Sequence, residues 1–317
     1  MDKLASLRQK NIAVFMGGWS SEREISLNSG NLVLESLSRM GLKASRVDLK
    51  SEEDSQKNFN NFNLVFNALH GIGGEDGFIQ SILEKSKINY TGSDSVSSRI
   101  SLNKIETKKI WRDLELPTAD FVEIKDIKLP NMELNQFISG SEEITSLNKS
   151  FVIKPAREGS SFGISIVHPN EGTLEESLEL ASEFDKDILV EAFIEGIEMT
   201  VGILGNKALT PFTIIPSNKF YDYQSKYISN KTIYKPSKLS TKKIKEIQDL
   251  SLKAFQSLGC SGWGRVDLIQ DLDGNFQLLE VNTVPGLTPT SLVPKAALSS
   301  GLNFDDLIIE IIRSSES

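Results

Sequence analysis

Hydrophobic positions in the N-terminal third alternate between short apolar runs and a helical pattern. Apolar runs at 12–16, 44–49 and 64–69 predict buried strands. Between the first two lies a stretch with helical spacing that ends at Gly41. An alternation of strand, helix and strand predicts an α/β domain with a parallel sheet.

The rest of the chain mixes both periodicities. Helical patterns are predicted at 101–114, 241–258 and 304–312. Apolar runs predict further strands at 151–154, 164–167, 188–191 and 198–204. The mixture indicates α+β architecture after the first domain.

A β-hairpin is predicted between residues 262 and 286. Apolar runs at 266–270 and 276–282 flank Asp-Gly at 273–274, the dipeptide that favours a two-residue turn. Such a turn pairs residues whose numbers sum to 547, so Leu268 would face Leu279 on the core side.

The other face of this hairpin carries polar groups. The same register places Asp267 opposite Glu280 and Arg265 opposite Asn282. Two carboxylates in that arrangement repel each other unless a cation lies between them. Carboxylate and amide oxygens suit Mg²⁺, so we predict a metal site; an exposed hairpin with scattered charge is the alternative.

Two glycine-rich turns follow predicted strands of the first domain. Glu22 lies in the turn after the first strand and His70 begins the turn after the third strand. Both fall at the carboxyl ends of strands, where α/β sheets bind ligands. Neither turn has the G-x-G-x-x-G spacing of a dinucleotide site, and the glycines could simply make tight turns.

Three further stretches suggest an anionic ligand. A Gly/Ser loop at 155–163 follows Lys154 between two strands, without the Walker order, and its N–H groups and hydroxyls could hold phosphate. Lys104, in the first turn of a helix, gains nothing from the helix dipole; such a lysine is more often a plain surface residue, though an anionic ligand would explain it. The tyrosine- and lysine-rich stretch at 219–235 is typical of a lid.

Composition and net charge argue against some classes of ligand and some cellular locations. The chain has 317 residues, a formal net charge of −8 and one cysteine, Cys260. The charge argues against general binding of nucleic acid or anionic membranes. A single cysteine fits a reducing compartment, and no apolar segment is long enough for a signal or a membrane span. We therefore expect a cytoplasmic protein.

Six motifs in order resemble the D-alanine–D-alanine ligase family: GGWSSEREISL, ALHGIGGEDG, VIKPAREGSSFGIS, FYDYQSKY, GWGRVD and LLEVNTVPGLTPTSLVP. They cover the chain from Gly17 to about Pro294. The resemblance implies an N-terminal Rossmann-like domain followed by a two-part ATP-grasp fold. We expect domains at 1–96, 97–182 and 183–317. It also implies ligation of two D-alanines through a D-alanyl phosphate, for peptidoglycan precursors, by an enzyme that is generally a homodimer.

The resemblance implies a set of ATP-binding residues: Lys104, Lys154, Ser161, Glu191, Phe193, Ile194, Glu198 and Lys226. The two lysines at 104 and 154 would hold phosphates, and Lys226 the transferred phosphate. Glu191 and Glu198 would contact adenine and ribose. The expected metal is Mg²⁺, as two ions on Asp267, Glu280 and Asn282, with Mn²⁺ as an alternative.

The resemblance also implies a set of catalytic and substrate-binding residues: Glu22, His70, Ser160, Tyr227, Arg265, Gly286, Ser291 and Leu292. Glu22 would take the first ammonium group and join Ser160 and Tyr227 in a hydrogen-bonded trio. Arg265 and the Gly286 N–H would form the oxyanion site. Ser291 and Leu292 would bind the second carboxylate.

Two positions depart from the family pattern, and other functions remain open. Asn103 stands where the family commonly has aspartate, and Ala192 where a lysine often contacts the nucleotide. The nearest rivals are a ligase that joins D-alanine to D-lactate or D-serine and another ATP-grasp ligase. A nucleotide-binding regulator without catalysis is the rival from a different class.

Overall fold

The structure is a computed structural model that describes residues 4–126, 150–168, 174–215 and 232–315. Three sheets organise these residues. Helices and strands are numbered below in chain order.

The N-terminal sheet is parallel, in the order β2-β1-β3-β4. Its strands are β1 (Ile12–Gly17), β2 (Ala44–Leu49), β3 (Leu64–Asn67) and β4 (Asn89–Tyr90). Its helices are α1 (Arg23–Arg39), α2 (Glu52–Ser55), α3 (Phe78–Lys85) and α4 (Ser95–Leu102). The predicted α/β domain with a parallel sheet is confirmed, and β1 and β3 are buried along their whole length.

The central sheet is antiparallel, in the order β5-β8-β6-β7. It contains β5 (Phe121–Ile124), β6 (Phe151–Pro155), β7 (Ser165–Val167) and β8 (Ile188–Ala192). Helix α5 (Lys104–Asp113) precedes it in the chain, and α6 (Leu174–Ser182) lies between β7 and β8. Strand β8 therefore joins this sheet from beyond residue 182, where we placed the domain boundary.

The third sheet is antiparallel, in the order β12-β11-β9-β13-β14, with β10 paired to β9. Its strands are β9 (Gly196–Leu204), β10 (Lys207–Ala208), β11 (Phe212–Ile215), β12 (Ile233–Pro236), β13 (Trp263–Asp271) and β14 (Phe276–Asn282). Helix α7 (Thr241–Ser257) covers one face, burying Ile247, Ala254 and Phe255.

The chain returns to the N-terminal domain at its end. Helices α8 (Leu292–Ser299) and α9 (Phe304–Ser314) share one hydrophobic core with β1, β3 and α1. This return brings the end of the hairpin against the loops that follow β1 and β3. In the described part of the chain, no helix combines the length and the apolar character that crossing a membrane requires.

The hairpin turn differs from the prediction. The N–H of Asp271 bonds to the carbonyl of Asn275, which leaves a three-residue loop in which Gly274 has a φ of 81°. Glycine takes this left-handed conformation without penalty. The two-residue turn is therefore wrong, and Leu268 pairs with Leu278 instead of Leu279.

A β-bulge restores the register further along the hairpin. The pairing shifts by one residue after Asp267, so Leu279 has no partner of its own and Asp267 faces Glu280. The bulge is held from the other side, because the N–H of Leu278 bonds to the Pro117 carbonyl at 2.8 Å. The predicted pairings of the polar face are thus confirmed, although the turn that suggested them is absent.

The helix predicted at 101–114 is two helices. Asn103 interrupts it and caps α5, its side-chain oxygen accepting from the N–H groups of Ile105 and Glu106. An asparagine is as good an N-cap as aspartate, so the departure at this position costs the helix nothing. The cap sets Lys104 at the first residue of α5, with its side chain buried.

Candidate active site

Ten of the predicted site residues line one cavity of about 820 Å³ between the three sheets. They are Glu22, His70, Lys104, Ser160, Arg265, Glu280, Asn282, Gly286, Ser291 and Leu292. The cavity contains both carboxylates and cations, so it presents complementary sites for a charged amino acid and a polyanion. The residues come from all three sheets, and only the tertiary fold assembles them.

One wall joins the first glycine turn to the central loop. Ser160 Oγ donates to Glu22 Oε1 at 2.5 Å, across 138 residues of chain. Ser160 and Ser161 both have positive φ, 52° and 62°, a conformation that costs a non-glycine residue about 1 kcal/mol or more. The loop therefore bears backbone strain while it holds the hydroxyl against the Glu22 carboxylate.

His70 lies beneath the same wall. Its Nδ1 is 2.7 Å from the Val284 carbonyl, and its Nε2 is 3.1 Å from Ser29 Oγ. Burial alone would lower the pKa of His70, but hydrogen bonding and charge from Glu75 outweigh it and raise the pKa. Ser29 Oγ also accepts from the N–H of Leu287, so this histidine ties the N-terminal domain to the segment after the hairpin.

The hairpin carboxylate Asp267 is surrounded by donors. Arg265 makes a bidentate contact, Nε to Oδ1 at 2.8 Å and Nη2 to Oδ2 at 2.7 Å. Thr200 Oγ1 donates to Oδ1 at 2.6 Å, and Asn282 Nδ2 to Oδ2 at 3.1 Å. These four contacts hold the carboxylate of a residue that is only 5% exposed, on the face that it shares with Glu280.

Buried lysines face these carboxylates. Lys104 Nζ lies 3.6 Å from Glu280 Oε2 and donates to the Glu158 carbonyl at 2.6 Å. Lys154 Nζ lies 2.5 Å from Glu191 Oε1, and Lys108 Nζ lies 2.8 Å from Glu191 Oε2. Three lysines therefore face two carboxylates here, and the excess of positive charge suits a phosphate chain.

Glu191 is the centre of this cluster. Burial would raise its pKa, but the charges of Lys108 and Lys154 lower the pKa to about 2. Its Oε2 has the charge of Lys108 nearby but no aligned hydrogen-bond donor among the described residues. The carboxylate is thus firmly ionised, and one of its oxygens still has room for a donor.

The segment after the hairpin ends at a helix N-terminus. Ser291 is the N-cap of α8, yet its hydroxyl accepts from the N–H of Thr288 and does not cap the helix. A helix N-terminus without a side-chain cap attracts carboxylates. A side chain at Gly286 would come within 2.8 Å of Ser291 Oγ, so only glycine allows the two to approach.

The remaining predicted residues lie outside the cavity lining. Phe193, Ile194 and Glu198 are half-buried on the connection from β8 into β9, and the N–H of Phe193 bonds to the Ser150 carbonyl. Ser161 follows Ser160 in the central loop and is half-buried. Lys226 and Tyr227 lie outside the described residues, so the predicted trio is seen only as its Glu22–Ser160 pair.

Sequence reasoning missed three residues that complete the site. Helical spacing in the sequence could have identified Lys108, because it lies one turn after Lys104 and one turn before the buried Trp111 on the same helical face. Glu75 stands within the quoted motif ALHGIGGEDG but was given no role. Thr200 had no signal, since its contact with Asp267 depends on the pairing of β9 with β13.

Comparison with known proteins agrees with this geometry. Residues 42–93 match the family model described as D-ala D-ala ligase N-terminus, and residues 110–313 match the one described as D-ala D-ala ligase C-terminus. The chain belongs to the D-alanine–D-alanine ligase family. The predicted resemblance is confirmed over most of the chain.

Relatives of this ligase family match along nearly the whole length. A D-alanine–D-alanine ligase from Actinobacillus succinogenes is 40% identical over 313 residues, covering 98% of this chain and 100% of the relative.

Solved structures also match this chain over nearly its whole length. A D-alanine–D-alanine ligase from Bacillus anthracis complexed with ATP is 31% identical with a TM-score of 0.83, covering 97% of both chains. The VanG D-Ala:D-Ser ligase from Enterococcus faecalis is 29% identical with a TM-score of 0.83, covering 96% of this chain and 99% of that one. The predicted fold, a Rossmann-like domain followed by an ATP-grasp fold, is confirmed.

Proposed function

We propose that the protein joins two D-alanines to D-alanyl-D-alanine, with ATP converting the first carboxylate to an acyl phosphate. The observation that supports this most is the single cavity that Glu22, Arg265 and the N-terminus of α8 line together with Lys104. Family membership supports the same activity. A role in peptidoglycan precursor synthesis follows from the product.

The phosphate end of the site is proposed to lie at the lysine cluster. Lys104 and Lys154 would contact the phosphates of ATP, because both are buried cations on elements that border the cavity or its wall. Lys226 would reach the transferred phosphate from the segment outside the described residues. Glu191 and Glu198 would contact adenine and ribose beside Phe193 and Ile194, and Ser161 would contribute to the phosphate loop.

The hairpin fits Mg²⁺. Two carboxylates and an amide on one face of the hairpin supply hard oxygen ligands, and the contact of Asn282 with Asp267 uses the amide nitrogen, which leaves the amide oxygen for a metal. Among the described residues no three His, Cys, Asp or Glu side chains converge, so an amide oxygen, the nucleotide and water would complete the coordination of Mg²⁺. We propose two ions on Asp267, Glu280 and Asn282, which would neutralise the transferring phosphoryl group.

Acyl transfer would use the opposite wall. The carboxylate of Glu22 would hold the ammonium group of the first D-alanine. Ser160 and Tyr227 would position the Glu22 carboxylate and close the site, and His70 would lie near the same amino acid. The second amine would attack the acyl carbon and lose a proton, and the negative oxygen of the tetrahedral intermediate would develop beside Arg265 and the Gly286 N–H. Phosphate would then leave as the C=O bond of the new amide forms.

The second substrate would bind by its carboxylate. The N-terminus of α8, at Ser291 and Leu292, lies in the same cavity as Arg265 and has no side-chain cap. A carboxylate held there places the amine of the second amino acid toward the acyl group.

Mass detection of the product tests the proposal. The protein is incubated with ATP, Mg²⁺ and D-alanine, and D-alanyl-D-alanine is quantified together with ADP. We expect one ADP for each dipeptide and loss of both products when EDTA removes the metal. Nucleotide hydrolysis without dipeptide would contradict the assignment. D-Serine or D-lactate, offered with D-alanine in competition, decides between this activity and the relatives that join D-alanine to another partner.

We further propose that the protein is a cytoplasmic homodimer whose domains divide at about 1–96, 97–182 and 183–317, with β8 of the third segment completing the central sheet. Family membership supports the dimer and the compartment. Light scattering of the purified protein would give twice the 35.1 kDa of one chain.

A further inference from the structure

Lys108 is the most deeply buried charge in the described part of the site. Its side chain has no solvent exposure, and it lies on α5 one turn beyond Lys104. A lysine at such a position costs free energy unless its charge is used. Neither of the roles assigned above, phosphate contact or metal ligation, includes it.

Lys108 contacts two different residues, Glu191 and Thr118. On one side its Nζ forms the ion pair with Glu191 Oε2 at 2.8 Å. On the other it donates to Thr118 Oγ1 at 2.5 Å, and Thr118 in turn donates to the Leu278 carbonyl at 2.9 Å. Leu278 adjoins the bulge of the hairpin, so Lys108 is anchored against a rigid element and cannot follow a ligand.

Lys154 differs from Lys108 in this respect. It shares Glu191, at 2.5 Å from Oε1, yet it is the lysine proposed to contact a phosphate of ATP. To make that contact it has to give up part of its pairing with Glu191. If Lys154 were the only counter-ion of Glu191, its departure would leave a buried carboxylate unpaired. The free-energy cost would then hold Lys154 in place.

We propose that Lys108 is the permanent counter-ion of Glu191, which leaves Lys154 free to pair with the nucleotide. Lys108 is thereby a positioning residue for nucleotide binding and does not itself touch the nucleotide. The inference rests on the proposed nucleotide role of Lys154. Because Glu191 keeps one lysine at all times, the exchange of Lys154 between carboxylate and phosphate never exposes an unpaired buried charge.

The test uses the isosteric neutral variant Lys108→Met. Without Lys108, Lys154 stays with Glu191, and the Kd for the analogue AMP-PNP with Mg²⁺, measured by calorimetry, should rise by about tenfold or more. The KM for D-alanine should stay within about twofold of wild type, a split that general structural damage would not produce. Lys109→Met is the matched control, because Lys109 is adjacent, partly exposed and paired with Glu123.

A second background removes the charge that Lys108 is proposed to balance. In Glu191→Gln protein, adding Lys108→Met should change the nucleotide Kd by less than about twofold, because no carboxylate remains to be neutralised. A loss in that background as large as in wild type, or an unchanged Kd in Lys108→Met alone, would overturn the inference.

If Lys108→Met alone fails to fold, Lys108→Gln, which carries no charge but can still donate to Thr118, replaces it in both backgrounds with the same expected results. Failure of the proposed function is seen separately, in the wild-type protein, as absence of nucleotide binding or of dipeptide.

Discussion

Replacing Arg265 with alanine should have two separable effects, one on stability and one on the reaction. The arginine makes a bidentate contact with Asp267, and the two side chains are only 15% and 7% exposed. Its proposed role in the reaction is to stabilise the negative oxygen of the tetrahedral intermediate.

The stability effect follows from burial. Removing one partner of a buried ion pair costs about 3–5 kcal/mol, because the other charge is left unpaired. Thr200 and Asn282 continue to donate to Asp267, so we expect a loss near 3 kcal/mol, at the lower end of that range. Urea unfolding measures this loss directly.

The kinetic effect follows from the loss of one oxyanion donor, which costs about 3 kcal/mol of barrier, or roughly a hundredfold to a thousandfold in kcat. Binding of AMP-PNP should be affected far less than kcat. Dipeptide formation is assayed at a temperature and protein concentration where urea unfolding shows the variant to be folded.

Arg39→Ala is the control for loss of an arginine. Arg39 also pairs with an aspartate, Asp305, at 2.7 Å, but the two side chains are 55% and 35% exposed. Such an exposed pair contributes little to stability, and kcat should not change. A folded Arg265→Ala protein whose kcat stays within about threefold of wild type would refute the oxyanion role.

Other changes test other parts of the site. Ser160→Ala removes the hydrogen bond to Glu22 and should raise the KM for D-alanine by about tenfold or more, with the KM for ATP unchanged; equal changes in both would contradict the assignment. The pKa of Glu191 is lowered to about 2, so its contribution to stability is present above about pH 4.5 and is lost as pH falls toward 2. Between pH 5 and pH 2 the wild type should therefore lose about 3 kcal/mol more unfolding free energy than Glu191→Gln, and parallel curves would show that Glu191 is not held ionised. Glu280→Gln removes one of the two carboxylates that face each other across the hairpin and should lower Mg²⁺-dependent turnover by about a hundredfold; near-normal turnover would show that Glu280 does not hold the metal.

The sequence predicted the architecture well because helices and strands are marked by the spacing of apolar residues that are neighbours in the chain. The strands β1 and β2 and the helix α7 appear within one residue of the predicted ends. Apolar spacing depends on neighbours in the chain, and each of these elements buries one continuous face.

The hairpin shows where local reasoning stops. Asp-Gly at 273–274 favours a two-residue turn, but the structure uses a three-residue loop and recovers the register with the bulge at Leu279. The bulge depends on the Pro117 carbonyl, about 160 residues away in sequence, and no local pattern reports that contact.

The same distinction applies to the site. Some of its residues were predicted from motifs, and others are brought in by contacts between distant elements. Positions named from motifs, such as Glu22 and Arg265, come together around one cavity. Lys108 was given no role, because its ion-pair partner, Glu191, lies on a strand more than 80 residues later. Buried charge pairs between distant elements are set by tertiary structure and not by spacing.

The measurement that tests the account most directly follows an oxygen atom. D-Alanine labelled with ¹⁸O in its carboxylate is incubated with the protein, ATP and Mg²⁺, and the released phosphate is analysed by mass spectrometry. If the carboxylate attacks the γ-phosphate and the second amine displaces the phosphate, each phosphate formed with a dipeptide carries one ¹⁸O. Dipeptide accompanied by unlabelled phosphate would contradict activation through an acyl phosphate.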